Sequence, residues 1–346
     1  MNDQSVFGPY RLVRILGSGG MSVIYLAREV LACGVERQVV LKRLSPEDRG
    51  DEQFETMFFD EVRVLSGLSH PGLPTILAAG TIGDEPYFAM EYIDGVSLSE
   101  IIKEARGRGE TLPRREALSI ACALAQTLAY VHEHRDEFGR RTNIVHRDVK
   151  PANALVSTSG AVKLIDFGIA QAANRVYQTA TGVVKGTLGY MAPEQLAETE
   201  PLTHLTDVFC FGVLLYELLV GEPPFAAPDP LSIYKLIANG NYRPPRSVRQ
   251  DISAAMDALI AACLSTAPAA RPQSMWSVAG ALRDELTAHG GAPTGRELAA
   301  LVGRVRATIE AAEPLASIRL RAAPGQQDTE VDLQRPVLDE PGRRKR

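Results

Sequence analysis

His146-Arg147-Asp148-Val149-Lys150-Pro151-Ala152-Asn153 is one unbroken run, and Asp166-Phe167-Gly168 begins eighteen residues after Asp148. Together the two pieces carry the residue types that phosphoryl transfer needs. Its transition state is loose and highly charged, so the chain must offer a carboxylate for an attacking hydroxyl, oxygen ligands for metal and cations for phosphate. Asp148, then Asn153 with Asp166, then Lys150 are of those types. A lone D-F-G triplet arises often by chance, but an eight-residue run followed at this distance by a second acidic residue is a specific signal.

Composition sets limits around this region. The 346 residues are 45% apolar, enough for sizeable cores, and the formal net charge is only −5. The length predicts about two domains. Lys and Arg are spread along the chain, which gives no electrostatic support to nucleic-acid binding. Cys33, Cys122, Cys210 and Cys263 are far apart and form no C-x-x-C or metal spacing. Three of them sit in apolar helical patterns, so they read as small buried hydrophobes in a reducing compartment. The first ten residues lack a basic segment leading into an apolar one. The longest apolar run, Val208 to Gly221, is short for a membrane span and contains Glu217. The expectation is a cytoplasmic protein without a membrane span.

The chain changes character along its length. From Tyr10 to about Glu91, short β-branched runs (Val23 to Leu26, Val39 to Leu41, Tyr87 to Met90) alternate with glycine-rich or charged turns, which predicts strands. One helix interrupts them, from about Asp51 to Gly67, with Phe54, Phe58, Val62 and Leu65 on one face. Beyond Leu98 helical periodicity dominates, as in Arg114 to His134 and Leu205 to Val220. The prediction is an α+β protein of two lobes: residues 10–91 small and β-rich, residues 92–286 larger and helical. The acidic connector Glu91-Tyr92-Ile93-Asp94-Gly95 is suited to a hinge. Residues 1–9 read as a tail. Residues 287–346 read as a second tail with one weak helix, about 295–313, and a polar end closing in Arg343-Arg344-Lys345-Arg346.

Gly17-Ser18-Gly19-Gly20-Met21-Ser22-Val23-Ile24-Tyr25 lies between two strand-like runs, where glycines let backbone N–H groups close over phosphates. Strands on both sides exclude the strand–glycine–helix context of dinucleotide binding. Lys42 ends the apolar run Val39-Val40-Leu41. A half-buried lysine needs a partner, and Glu61 on the inner face of the helix is the obvious one.

With these motifs in view the chain resembles eukaryotic-type Ser/Thr protein kinases, in wording close to the bacterial members, from about Tyr10 to Leu286. The resemblance implies the bilobal protein-kinase fold and the use of ATP with Mg²⁺, or Mn²⁺ in its place. It implies that Leu16, Gly17, Ser18, Gly19 and Gly20 cover the nucleotide, that Lys42 contacts its phosphates and that Glu61 orients Lys42. Ile24, Val40 and Leu155 match the positions that sandwich adenine, Met90 is at the gatekeeper position, and the Glu91 to Ile93 backbone reads the adenine edge. Asp148 orients the acceptor hydroxyl, Lys150 neutralises the γ-phosphate, and Asn153 with Asp166 holds the metal. Leu65, Ile76, His146 and Phe167 match a stacked apolar column. Lys150 and Thr187 go with Ser/Thr acceptors. Glu194 is expected to pair with Arg271, and Asp207 to anchor the catalytic-loop backbone.

Arg147 is a cation in need of an anion, and Thr179 and Thr181 are the expected activation-loop phosphosites, filled by autophosphorylation in trans. The implied partners are ATP, protein substrates, phosphothreonine-binding domains and a second copy through the small lobe; nucleic acid is not among them. Relatives often append a membrane helix and sensor, so here the input is expected through a partner, the tail or expression. Ser22, Val40 and Cys210 depart from the family pattern, and Glu133 to Asn143 makes a longer approach to the catalytic loop than a minimal kinase needs. The rival readings are a pseudokinase scaffold, which usually loses the Lys42, Asp148 or Asp166 equivalent, and a small-molecule phosphotransferase, which does not require the Thr187 to Glu194 ledge. All three of those pseudokinase-sensitive residues are present.

Overall fold

The computed structural model describes residues 6–19, 21–168, 188–197 and 201–312. Its first lobe is built on an antiparallel sheet with strand order β1-β2-β3-β4-β6-β5. These strands are β1 (Val6–Phe7), β2 (Tyr10–Gly19), β3 (Ser22–Val30), β4 (Glu36–Leu44), β5 (Ile76–Ile82) and β6 (Glu85–Glu91). Side chains alternate across the pleat. Val39 and Leu41 of β4 join Phe7, Tyr10 and Ala89 in an outer cluster, while Val40 and Leu44 turn to the other face with Phe88 and Met90. Lys42 shares that second face by the same period of two, which carries a cation inward.

Helix α1 (Glu52–Ser66) covers this inner face. The Asp51 side chain caps it by accepting from Gln53 N at 2.9 Å, and Phe58, Glu61 and Leu65 form its buried stripe. The spacing of three and four residues that buries Phe58 and Leu65 therefore also buries Glu61.

The second lobe is helical: α2 (Leu98–Gly107), α3 (Arg114–Glu133), α4 (Pro193–Ala197), α5 (His204–Val220), α6 (Pro230–Ala238), α7 (Ala254–Cys263) and α8 (Met275–Ala288). Helix α5 is buried on every side from Thr206 onward, as its almost uniformly apolar sequence predicts, and it ends at Gly221, whose φ of 91° suits glycine. No helix among the described residues is long and apolar enough to cross a membrane. Cys122, Cys210 and Cys263 are buried and Cys33 is exposed, all as free thiols. The approach from Glu133 to Asn143 is an exposed excursion closed by a bridge between Arg135 and Arg141.

A small sheet, β7 (Gly95–Ser97), β8 (Ala154–Ser157) and β9 (Val162–Leu164), joins the lobes. Asn153 immediately precedes β8 and Asp166 follows β9, so the antiparallel β8–β9 hairpin returns the chain to its starting point; Ile165 N donates to Asn153 O at 2.8 Å.

Helix α9 (Gly295–Ala312) completes the lobe. The sequence reading sets it apart as a weak element within a tail, whereas Leu298, Leu301, Val302 and Val305 are buried in the main core. Those residues fall at i, i+3, i+4 and i+7 and make a narrow stripe that an Ala- and Arg-rich background hides.

Candidate active site

The carboxylate of Asp207, fully buried in α5, fixes the loop that carries the H-R-D run. Its Oδ2 accepts from His146 N and its Oδ1 from Arg147 N, both at 2.8 Å, and His132 Nε2 lies 2.8 Å from Oδ2. Burial alone would raise this carboxyl, but the bond and charge of His132 and the His146 contacts outweigh it and hold Asp207 below the usual carboxylate value. The loop is under backbone strain that these bonds sustain: Arg147 has a φ of 69° and Asp166 a φ of 56°. Gln195 adds a third restraint, its Nε2 donating to Arg147 O at 2.9 Å.

His146 is fully buried, and burial pushes its imidazole pKa below the ordinary value against the pull of Asp207 and Asp148. The neutral ring matches its contacts, with Nε2–H directed to Ile165 O at 3.2 Å and Nδ1 accepting from Asp148 N at 3.3 Å. The Phe167 ring packs 4.5 Å from the His146 ring, and Leu65 belongs to the same core, with Ile76 against it. Gly168 N donates to His146 O at 2.8 Å, and a Cβ at Gly168 would sit 3.1 Å from the Cβ of Asp148. The D-F-G turn thus presses closely on the H-R-D loop, and a side chain at Gly168 would require Asp148 to give way.

Asp148 is nearly buried, and its Oδ2 accepts from Lys150 Nζ at 2.8 Å and from Asn153 Nδ2 at 2.7 Å. Asn153 Nδ2 also donates to Asp148 O at 2.9 Å. Those bonds orient the Asn153 amide so that its oxygen is the side-chain atom left to act as an acceptor.

Lys42 Nζ bridges both oxygens of Glu61, at 2.6 and 2.9 Å, and both side chains are buried. Burial opposes the Lys42 charge, but Glu61 and Asp166 together overcome it and keep the ammonium protonated. The ammonium also lies 5.5 Å from the centre of the Phe88 ring.

Beside this cluster opens a cleft of about 430 Å³, lined by Leu16, Gly17, Ile24, Val40, Met90, Glu91, Ile93, Leu155 and Asp166 among others. The size and apolar walls suit a purine nucleotide. Ser18 and Gly19 lie at the tip of the β2–β3 hairpin, paired with Val23 and Ser22, rather than in the cleft wall. Gly20, Thr179, Thr181 and Thr187 lie outside the described residues. A larger cleft of about 770 Å³ runs behind α1, past Val62, Leu68, His70 and Lys163. It holds none of the charged motif residues, so volume does not mark it as the site of chemistry.

Glu194 and Arg271 meet as a buried pair, Nη1 to Oε1 at 2.6 Å and Nη2 to Oε2 at 2.8 Å. Three residues that the motifs do not flag support the site. His132 holds Asp207, Gln195 holds Arg147, and Lys163 Nζ reaches Glu91 Oε2 at 2.8 Å and Leu73 O at 3.0 Å. His132 shows in the sequence only as a polar residue on the buried side of an apolar helix, and Gln195 only by its place after Glu194.

Site and fold can be set beside known proteins. A family model described as "Protein kinase domain" matches residues 10–281. Tyrosine-protein kinase MasK of Myxococcus xanthus is 36% identical over 306 residues, 87% of this chain and 47% of that protein. Serine/threonine-protein kinase PknB of Mycobacterium tuberculosis is 35% identical over 293 residues, 82% of this chain and 43% of that one. The chain therefore spans less than half the length of these two relatives. The crystal structure of the Mycobacterium tuberculosis PknI kinase domain superimposes with a TM-score of 0.59 at 26% identity, covering 82% of this chain and 99% of that one.

Proposed function

The chain belongs to the protein kinase family, and from that premise we propose that it transfers the γ-phosphate of ATP to Ser and Thr hydroxyls of proteins. The observation that carries the reading is the concurrence of three buried or largely buried pairings: Lys42 with Glu61, Asp148 with Lys150 and Asn153, and Asp207 with the loop backbone. A scaffold freed from catalysis has no need to keep all three.

Asp148 acts on the acceptor hydroxyl, orienting it and taking up its proton as the new oxygen–phosphorus bond forms and the bond from the γ-phosphorus to the bridging oxygen breaks, releasing ADP. Lys150, bonded to Asp148, offsets charge on the phosphoryl oxygens. Lys42, held by Glu61, anchors the remaining phosphates, while Ile24, Val40 and Leu155 enclose the base. Leu16 and Gly17 cover it, Met90 backs it, and Glu91 to Ile93 present backbone to its edge. The Asp166 carboxylate, which lines the cleft, and the Asn153 amide oxygen are hard oxygen donors of the kind that Mg²⁺ takes, with Mn²⁺ as a substitute. The metal supplies neutralisation of phosphate charge. The reading carries with it the cytoplasm, where ATP is at hand.

Acceptor type rests on Lys150 and on Thr187. A tyrosine acceptor is the second reading, favoured by the printed name of the Myxococcus relative. Arg147, held in place by Asp207 and Gln195, supports regulation by phosphate on Thr179 or Thr181. Phosphothreonine-binding domains and a second copy of the chain are the further partners on this reading.

Incubation with Mg²⁺ and ATP, followed by intact mass and phosphoamino-acid analysis, tests the proposal. Phosphoserine or phosphothreonine, with sites at Thr179 or Thr181, is expected; phosphotyrosine alone selects the second reading, and no phosphate at all sinks both. Replacing Thr179 and Thr181 together by Ala is expected to lower activity toward an added substrate by about tenfold or more, the loss of a charge-assisted bond to Arg147. Unchanged activity removes the regulatory part.

A further inference from the structure

The end of the hinge, the short link after it and the first turn of α2 form one wall of the cleft: Ile93, Gly95, Val96, Ser97 and Glu100 all line it. Asp94, in the middle of that strap, is held from outside the cleft by two separate elements. Thr158, in the β8–β9 turn, donates from its N to Asp94 O at 2.7 Å and from its Oγ1 to Asp94 Oδ2 at 3.1 Å. Arg306 of α9 donates to Asp94 Oδ1. That bond is the main influence holding the Asp94 carboxyl below its ordinary value. The strap has no slack at the next residue, because a Cβ on Gly95 would stand 2.3 Å from Val156 O.

Arg306 is presented by a firmly seated helix. Leu301, Val302 and Val305 on the same two turns are at most 2% exposed. The first turn is tied down by Thr294, whose N donates to Glu297 Oε2 at 2.6 Å, and Arg115 of α3 lies 3.5 Å from Glu297. The family match ends at residue 281, so α9 lies beyond it.

We propose that Arg306 is a positioning residue for the nucleotide, acting through Asp94 to fix the strap that walls the cleft. Thr158 alone leaves the strap tethered on its β8 side; Arg306 adds the restraint from α9, and the two together define where Ile93, Val96 and Ser97 stand. The inference rests on the kinase reading, because it needs a nucleotide in the cleft.

The test uses the full chain, a fluorescent ADP with Mg²⁺, and steady-state kinetics against ATP. For an exposed pair acting on a binding wall, Arg306→Ala is expected to weaken ADP binding and raise KM for ATP by about two- to fivefold, with kcat unchanged. Arg306→Lys should restore most of the loss. Asp94→Asn, which keeps the Thr158 contacts, should reproduce it, and the double variant should be no worse than either single one. A merely structural role would lower the thermal midpoint of the nucleotide-free protein and leave ADP affinity alone; that result, or additive effects in the double variant, overturns the proposal. Wild-type protein that binds no ADP overturns the kinase reading along with it.

Discussion

Asp148→Asn is expected to lower the rate of phosphate transfer by about 10²- to 10⁴-fold while leaving the fold and nucleotide affinity in place. The substitution is nearly isosteric, and among the described residues the groups that bond Asp148 Oδ2, the Lys150 ammonium and the Asn153 amide, are donors. The carbonyl oxygen of the new amide can accept both bonds, so the packing of this nearly buried side chain survives. What is lost is the negative charge and basicity that, on the proposed mechanism, act on the acceptor hydroxyl. On the same reading nucleotide affinity rests on the cleft walls and on Lys42, none of which the change touches. The measurement pairs single-turnover phosphate transfer with ADP titration. A variant that keeps a tenth or more of the wild-type rate with normal ADP binding would show that this carboxylate is not the one acting on the hydroxyl.

The pairings of the candidate site were legible in the sequence because few residue types can make them. Lys42 and Glu61 had to be partners, since a lysine at the end of an apolar strand and a glutamate on the buried stripe of α1 each need the other. Glu194 with Arg271, and Asp207 with the catalytic loop, followed from the family resemblance, and the structure brings both sets together. Other features escaped because they depend on tertiary approach. Ser18 has the same glycine-rich neighbours as Gly17, but the turn of the hairpin carries it to the tip while Gly17 faces the cleft. The bond from Gln195 to Arg147 joins residues 48 apart and has no local pattern. Helix α9 was legible as a helix, but its place in the core was not: the four residues it buries, Leu298, Leu301, Val302 and Val305, make a stripe too narrow to distinguish a docked helix from a marginal one. Arg306 then reads as one more surface arginine until α9 is seen to bring it to Asp94.

Arg271→Met is expected to destabilise the protein by about 3–5 kcal/mol at neutral pH, because it strands a buried carboxylate. Arg271 is 2% exposed and Glu194 7%, and the guanidinium also donates to the carbonyls of Leu205 and Ser265, both at 2.8 Å. In the wild type, burial would raise the Glu194 carboxyl, but the Arg271 bonds and charge, with Thr206 donating at 2.9 Å, prevail and hold it below its ordinary 4.5. A depressed carboxyl contributes stability that is fully present above 4.5 and lost as pH falls through the folded-state value. In Arg271→Met the burial effect acts without its main opponent and the carboxyl rises, so the charged form costs stability above 4.5 and that cost fades in acid. The gap between the two proteins should therefore be widest near pH 7.5 and narrow towards pH 4.5, a trend readable by thermal unfolding at the two pH values. At pH 7.5 the midpoint should drop by roughly 10 °C. Glu194→Leu combined with Arg271→Met should recover part of the loss, since it removes the stranded charge but not the unmet carbonyls of Leu205 and Ser265. A gap that stays constant with pH would place the cost of Arg271→Met in those carbonyls and in lost packing, and take the ion pair out of the account.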